Sequence, residues 1–128
     1  DCWRTYDRRA EQDAVRKILH HMNIEVVELA ENYDQTEFCG YTLYEPCIPR
    51  NAAMAPRRFL EQAQGKFIPH SESEKRALME AHCQQFETEE VVAFCHYCQA
   101  GLELGGMRVA HIAGLLFEPD QHGARMVL

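Results

Sequence analysis

The fold is decided by one stretch of the chain, Val91-Val92-Ala93-Phe94-Cys95-His96-Tyr97-Cys98. Four apolar residues typical of a buried strand lead into a Cys-x-x-Cys motif, and a helix-compatible segment, 99–104, follows it. Two thiols separated by two residues at a strand-to-helix turn can both point at one atom. The free backbone N–H groups of that turn also favour thiolate over thiol. Such a pair serves as half of a metal site, as half of an iron–sulfur site or as a redox disulfide, or it is two buried cysteines without a role.

Composition narrows the class of protein. The chain has 128 residues, which fits one domain with its own core, and its 46% hydrophobic and 26% charged residues are typical of a globular protein. The formal net charge is −7 and the sequence has no basic cluster, so nucleic acid is not an expected partner. No apolar run reaches the length of a membrane span.

Six cysteines are many for this length, but fewer than a disulfide scaffold carries. We therefore expect reduced thiols in a cytoplasmic setting, with ligation favoured over cross-linking. The sequence starts Asp1-Cys2-Trp3, without a methionine. We expect it to be a piece of a longer protein, with a further strand ahead of Cys2.

Helices and strands alternate along the chain. Apolar residues recur at helical spacing from Asp7 to Met22, and the β-branched segment 24–29 predicts a buried strand. The loop 30–51 carries Phe38-Cys39-Gly40 and Cys47. The remaining predicted elements are a helix over 51–64 interrupted by Pro56, a capped helix over 71–86, strands over 91–94 and 107–112, a helical turn over 113–117 and a loose polar tail over 119–128.

This alternation predicts a single α/β domain over residues 1–118, with a mainly parallel sheet and helices on both faces. Sites in such sheets lie beyond the carboxyl ends of the strands. The cysteines that follow a predicted strand, or the strand expected at the start, are Cys2, Cys39, Cys95 and Cys98. We therefore expect these four thiols to meet at one edge of the sheet.

The motifs resemble the cysteine-rich CCG domain that occurs in heterodisulfide reductase and in related iron–sulfur oxidoreductases. That family runs Cys, a helix and a strand, Cys-Cys-Gly, helices, then a strand and Cys-x-x-Cys, and it closes with an apolar stretch that contains a histidine. The matching pieces here are Asp1-Cys2-Trp3, Phe38-Cys39-Gly40, Phe94-Cys95-His96-Tyr97-Cys98 and Val109-Ala110-His111-Ile112-Ala113-Gly114-Leu115-Leu116. The resemblance covers the chain almost to its end.

The resemblance implies an iron–sulfur domain of a heterodisulfide-reductase-like oxidoreductase, acting in electron transfer or thiol/disulfide chemistry with other redox subunits or a second cysteine-rich domain. The implied ligands are Cys2, Cys39, Cys95 and Cys98, with Cys47 in reserve. The family's domain uses five cysteines to hold a noncubane [4Fe-4S] cluster, and Phe38 stands here in place of the first cysteine of Cys-Cys-Gly. Four thiols suffice for a cubane [4Fe-4S] cluster or for tetrahedral Zn²⁺.

Other functions remain open from the residues alone. The same four cysteines could hold Zn²⁺, although a Cys₄ zinc site usually comes as two close Cys-x-x-Cys pairs, or the domain could be a metal-free copy that serves subunit assembly. Thioredoxin-like exchange at Cys95 and Cys98 matches the local order of strand, motif and helix, although little chain follows the motif. The sequence shows no Ser–His–Asp order and no phosphate-binding glycine loop, so no catalytic residue is assigned.

Several neighbours of the thiols carry secondary expectations. The aromatic residues expected to cover the site, or simply to fill the core, are Trp3, Phe38, Tyr41 and Tyr97. His96 is a candidate ligand or modulator of a thiol pKa, although an exposed histidine without a role is the commoner case. Cys83 lies inside a predicted helix, and we expect it to pack rather than ligate.

Overall fold

The computed structural model describes residues 1–5, 7–40, 44–118, 123 and 125–128. Four parallel strands form one sheet, β1 (Glu25–Val27), β2 (Glu90–Ala93), β3 (Arg108–His111) and β4 (Arg125–Val127), in the order β1-β4-β2-β3. The helices are α1 (Arg9–His21), α2 (Pro49–Met54), α3 (Glu72–Cys83), α4 (His96–Leu104) and α5 (Ile112–Phe117). Shorter turns are the 3₁₀ turns Trp3–Thr5 and Tyr33–Gln35 and the π-helical turn Arg57–Glu61. The predicted α/β class with a parallel sheet is confirmed.

Helices cover both faces of the sheet, because successive residues of a strand point to opposite sides. One face packs on α1 and α5 through Val92, Met126, Leu19 and Leu115. The other face packs on α3 and α4 through Val91, Val127, Cys83 and Leu102. All four residues of β2 are buried, as expected of a central strand that is covered on both sides.

The C-terminal segment differs from the loose tail expected over 119–128. Residues 119–122 and 124 lie outside the described part of the chain, but residues 125–127 form β4, between β1 and β2. Met126 and Val127 are each 1% exposed. A three-residue strand is too short to show the alternation by which strands are identified in sequence, and its neighbours in the sheet are distant in the chain.

The helix expected over 51–64 is broken. α2 begins at Pro49 and ends at Met54, and the π-helical turn Arg57–Glu61 follows. Pro56 causes the break, because proline has no N–H to donate to the preceding turn. None of the described helices is both long and apolar enough to cross a membrane.

The direction of α1 places Cys2 at the carboxyl edge of the sheet. α1 ends at His21 and the chain turns through Asn23 directly into β1, so α1 runs antiparallel to the strands. Asn23 has a φ of 55°, a left-handed conformation that asparagine tolerates. The start of α1, and Cys2 just ahead of it, therefore lie at the carboxyl edge of the sheet. The loop that follows β1 and the turn that follows β2 reach the same edge.

Candidate functional site

Four thiols from three separate segments lie together at the carboxyl edge of the sheet. Cys2, Cys39 and Cys98 belong to one buried cluster, and Cys95 packs against it. Cys98 interacts with the other three thiols, and Cys2 also interacts with Cys39. We call these four residues the thiol cluster. They are the four cysteines that the sequence predicts to meet at one edge of the sheet.

Burial is uneven within the thiol cluster. Cys39 is 0% exposed, Cys2 2% and Cys98 5%, whereas Cys95 is only partly buried. Cys95 precedes the first residue of α4, and its position there leaves it at the mouth of the cluster. Any ligand that approaches from solvent would therefore meet Cys95 first.

Two close backbone contacts hold the cysteine-bearing segments against each other. The Trp3 N–H donates to the Phe38 carbonyl oxygen at 2.7 Å, which ties the Cys2 segment to the Cys39 segment. Gly40 has a φ of +41°, and a Cβ there would lie 2.3 Å from the Tyr97 carbonyl oxygen and 2.7 Å from the Cys98 nitrogen. Only glycine lets the loop approach α4 this closely, so the glycine of Cys39-Gly40 is a requirement of the thiol cluster itself.

Hydrogen bonds set the charge of the sulfurs. Cys39 and Cys98 donate to the Cys2 sulfur and, with the backbone N–H of Arg4, lower the pKa of Cys2 to about 3 against the opposing effect of burial. A hydrogen bond from Cys98, helped by the N–H groups of Cys98 and Tyr97, lowers the pKa of Cys95 to about 5. The pKa of Cys98 is raised, because its proton is shared with the neighbouring sulfurs. These donors therefore favour the thiolate form of Cys2 and Cys95.

Aromatic side chains close one side of the thiol cluster. Trp3 is 2% exposed, and Phe38 packs against the same group. Phe59 and Phe67 pack edge-on to the Trp3 ring, with ring centroids 5.7 and 6.0 Å away. Phe59 and Phe67 were not expected from the sequence, because they lie in and after the broken helix and carry no motif. Tyr41, which was expected as cover, lies outside the described residues.

The remaining expected neighbours lie away from the sulfurs. The half-buried Cys47 thiol donates to the carbonyl oxygen of the next residue, Ile48, at 3.6 Å. Cys83 packs between α3 and α4 and donates to the Leu102 carbonyl oxygen at 3.8 Å. His96 is exposed, and its ring contacts that of Tyr97 in a tilted arrangement, with centroids 4.1 Å apart and an interplanar angle of 36°. Cys47 as a reserve ligand therefore stays a prediction that would need its loop to move.

A buried ion pair anchors the start of the chain, and no sequence motif predicts it. Arg16 of α1 makes two hydrogen bonds to the Asp1 carboxylate, at 2.7 and 3.1 Å, and two to Glu28, both at 2.6 Å. The Asp1 side chain is 1% exposed, and it also accepts from the Tyr33 N–H at 2.7 Å. Asp1 is adjacent to Cys2, so this network fixes the position of the Cys2 sulfur.

The thiol cluster matches a thiophilic metal in the chemistry of its donors. It offers four sulfurs, two of them with a lowered pKa, in a largely buried pocket with N–H donors nearby. Among the described residues, no group of three or more His, Cys, Asp or Glu side chains is placed so that it could hold a metal ion. Metal binding at the thiol cluster would therefore require the thiol protons to leave and the side chains to reorient.

Comparisons with family models, with curated proteins and with solved structures find no match to this chain.

Proposed function

We propose that the thiol cluster holds a [4Fe-4S] cluster, and that the chain is an iron–sulfur domain of a heterodisulfide-reductase-like oxidoreductase. The observation that carries the proposal is the contact among four sulfurs from three segments of the chain. A hydrophobic core does not need cysteines in this arrangement, since apolar side chains would pack there without competing for protons. Thiol–disulfide exchange by Cys95 and Cys98 alone would leave the contacts of Cys2 and Cys39 unexplained.

The chain's own residues would act in three ways on the bound group. The four cysteines supply the ligands, and the N–H groups of Arg4, Tyr97 and Cys98 stabilise negative charge on the sulfurs. Trp3 and its aromatic neighbours keep water from the buried side. A bound [4Fe-4S] cluster supplies one-electron transfer, with a potential set by these donors and by solvent access.

Partners and compartment follow from the same proposal. All six cysteines are free thiols, which supports a reducing compartment such as the cytoplasm. Electron transfer needs a donor and an acceptor, so we propose that other redox subunits or a second cysteine-rich domain bind near the mouth of the thiol cluster.

One observation favours Zn²⁺ as a second candidate. Tetrahedral Zn²⁺ with Zn–S bonds of about 2.3 Å holds its sulfurs about 3.8 Å apart, which is the range of direct S–H···S contact. In a cubane each thiolate binds a different iron, so its sulfurs stand farther apart. Cys2, Cys39 and Cys98 belong to one buried cluster, which suits so compact a site. A zinc domain would serve structure or assembly without redox chemistry.

Metal analysis after anaerobic reconstitution tests both candidates. Protein treated with ferrous iron and sulfide should take up about four irons per chain and develop broad visible absorbance. Cys2→Ser should remove both signals. Cys47→Ser, which changes a cysteine outside the thiol cluster, should keep them.

The outcomes separate the two candidates. About one zinc per chain, with no stable iron uptake, would select the zinc domain. Uptake of neither metal, or equal uptake by the wild type and Cys2→Ser, would contradict both.

A further inference from the structure

A cavity opens beside the thiol cluster. It has a volume of about 700 Å³, within the range of small-molecule sites. Its walls come from the 3₁₀ turn Trp3–Thr5, the residues that lead into α1, the π-helical turn and the first turn of α4. Cys2 and Cys95 both line it, so its inner end is the mouth of the thiol cluster.

Charge distinguishes this cavity from the rest of the surface. The charged residues that line it are Arg4, Arg8, Arg57 and Arg58, with Asp7 and Glu11. We call it the arginine groove. Four of the 13 basic residues of a chain with a net charge of −7 thus line one concavity. Such clustering raises the local concentration of anions against the overall charge of the protein.

The two carboxylates of the arginine groove are committed to one arginine. Glu11 pairs with Arg8 at 2.7 Å, and Asp7 is close enough to Arg8 to help raise its pKa. Arg58 has a structural role: its guanidinium lies 4.0 Å from the Trp3 ring centroid and donates to the Trp3 carbonyl oxygen.

Arg4 and Arg57 remain available for a ligand. Neither pairs with a carboxylate of any described residue, and Arg57 is exposed. Arg4 lies over the Phe59 ring, with its guanidinium carbon 5.6 Å from the centroid, so its position is partly fixed. Guanidinium groups bind carboxylate and phosphate through paired hydrogen bonds.

We propose that the arginine groove binds a small molecule bearing two or more phosphate or carboxylate groups, held by Arg4 and Arg57 at the mouth of the thiol cluster. A concave site of this size fits a small molecule better than the flat face of a protein partner. The role of the ligand at a redox centre rests on the proposed function, but its binding does not depend on a metal.

Calorimetric titration of the full chain with inorganic pyrophosphate and, separately, with citrate tests the inference. At low ionic strength the protein should bind at least one of them with 1:1 stoichiometry, and the preferred probe distinguishes a phosphate ligand from a carboxylate ligand. Arg57→Gln should weaken binding about tenfold, and Arg4→Gln with Arg57→Gln further still, since each arginine contributes charged hydrogen bonds. The matched control is Arg76→Gln, an exposed arginine of α3 outside the groove, which should leave affinity unchanged.

Two results would overturn the inference: no binding of either probe, or equal loss in Arg57→Gln and Arg76→Gln. Metal content of Arg57→Gln, measured in parallel, should equal that of the wild type because Arg57 is not part of the thiol cluster. Anion binding without metal uptake would contradict the proposed function alone, and metal uptake without anion binding would contradict this inference alone.

Discussion

Two buried cysteines of this molecule have opposite chemistry. Cys2 is 2% exposed and Cys83 is 7% exposed, so both side chains are shielded from water. Burial raises the pKa of Cys83 to about 11, and its thiol makes only a weak hydrogen bond, to a carbonyl oxygen, among the described residues. The pKa of Cys2 falls to about 3, because other thiols and a backbone N–H donate to its sulfur. Donors, rather than burial, therefore decide which buried sulfur favours the thiolate form.

Removing one sulfur from each environment tests this difference most directly. Cys39→Ser should abolish metal binding, because a cluster of three sulfurs leaves one coordination position without its thiolate. Cys83→Ser should leave metal content unchanged and cost only about 1 kcal/mol in the free energy of unfolding. Metal analysis and thermal unfolding of both variants give the answer. If Cys83→Ser lost metal as fully as Cys39→Ser, the distinction between the two environments would fail.

The contrast also shows what could be predicted from the sequence. Cys39 and the Cys95–Cys98 pair follow predicted strands, and parallel topology alone sends the ends of those strands to one edge. The capping box at Ser71 predicts the helix that carries Cys83, and the structure contains that capping box. These predictions depend on local patterns that are several residues long.

Other parts of the site come from contacts without a local pattern. β4 is three residues long, and Phe59 and Phe67 lie near a proline-broken helix, so no periodicity marks any of them. The ion pair between Arg16 and Asp1 joins residues whose encounter depends on the direction of α1. Such contacts follow from the assembled sheet, and neither spacing nor composition reveals them.

Gly40→Ala should have the next largest effect on metal affinity and on stability. The left-handed backbone at Gly40 costs a residue with a Cβ about 1–2 kcal/mol, and the added carbon would also collide with the Tyr97 carbonyl. The loop must then withdraw and take the Cys39 sulfur with it. We expect a fall in melting temperature of roughly 5–10 °C and metal affinity reduced about a hundredfold or more, measured by chelator competition.

Gly114→Ala is the matched control for that change. Gly114 lies in α5, where an added Cβ meets nothing within 4 Å, so this variant should keep full affinity and be as stable as the wild type or slightly more so. Equal loss of metal in both variants would show that the close approach at Gly40 is not what holds the thiol cluster.

Arg16→Met tests whether the anchor at Asp1 positions Cys2. Without Arg16 the buried Asp1 carboxylate loses its cation, and the segment that carries Cys2 should loosen. We expect metal affinity to fall about ten- to a hundredfold, as for other groups that orient a ligand. Arg9→Met is the control, because Arg16 and Arg9 both lie over the Tyr33 ring, with guanidinium carbons 3.7 and 3.4 Å from its centroid, but Arg9 pairs with Asp13 rather than with Asp1. If Arg16→Met left metal affinity unchanged, the ion pair between Arg16 and Asp1 would not be what positions Cys2.

The smallest expected effect is on stability at acidic pH. It involves His82, which lies between the environments of Cys83 and Cys39. His82 belongs to α3, as Cys83 does, and its ring stacks on Phe38, next to Cys39, with centroids 4.0 Å apart. Burial lowers the pKa of His82 to about 4. Between about pH 6.5 and pH 4 the unfolded chain therefore binds a proton at this position that the folded chain does not, so stability falls as the pH falls through this range. We expect a loss of about 1–2 kcal/mol, because the ring is only partly buried and solvent screens its charge.

Chemical denaturation of the wild type and His82→Phe between pH 4 and pH 7 measures this loss. Phenylalanine keeps an aromatic ring against Phe38 but cannot bind a proton, so the variant should lose less stability on acidification than the wild type does. Carboxylates contribute equally to both proteins and cancel in the difference. If His82→Phe lost as much stability on acidification as the wild type, the neutral ring of His82 would not be what joins α3 to the loop of Cys39.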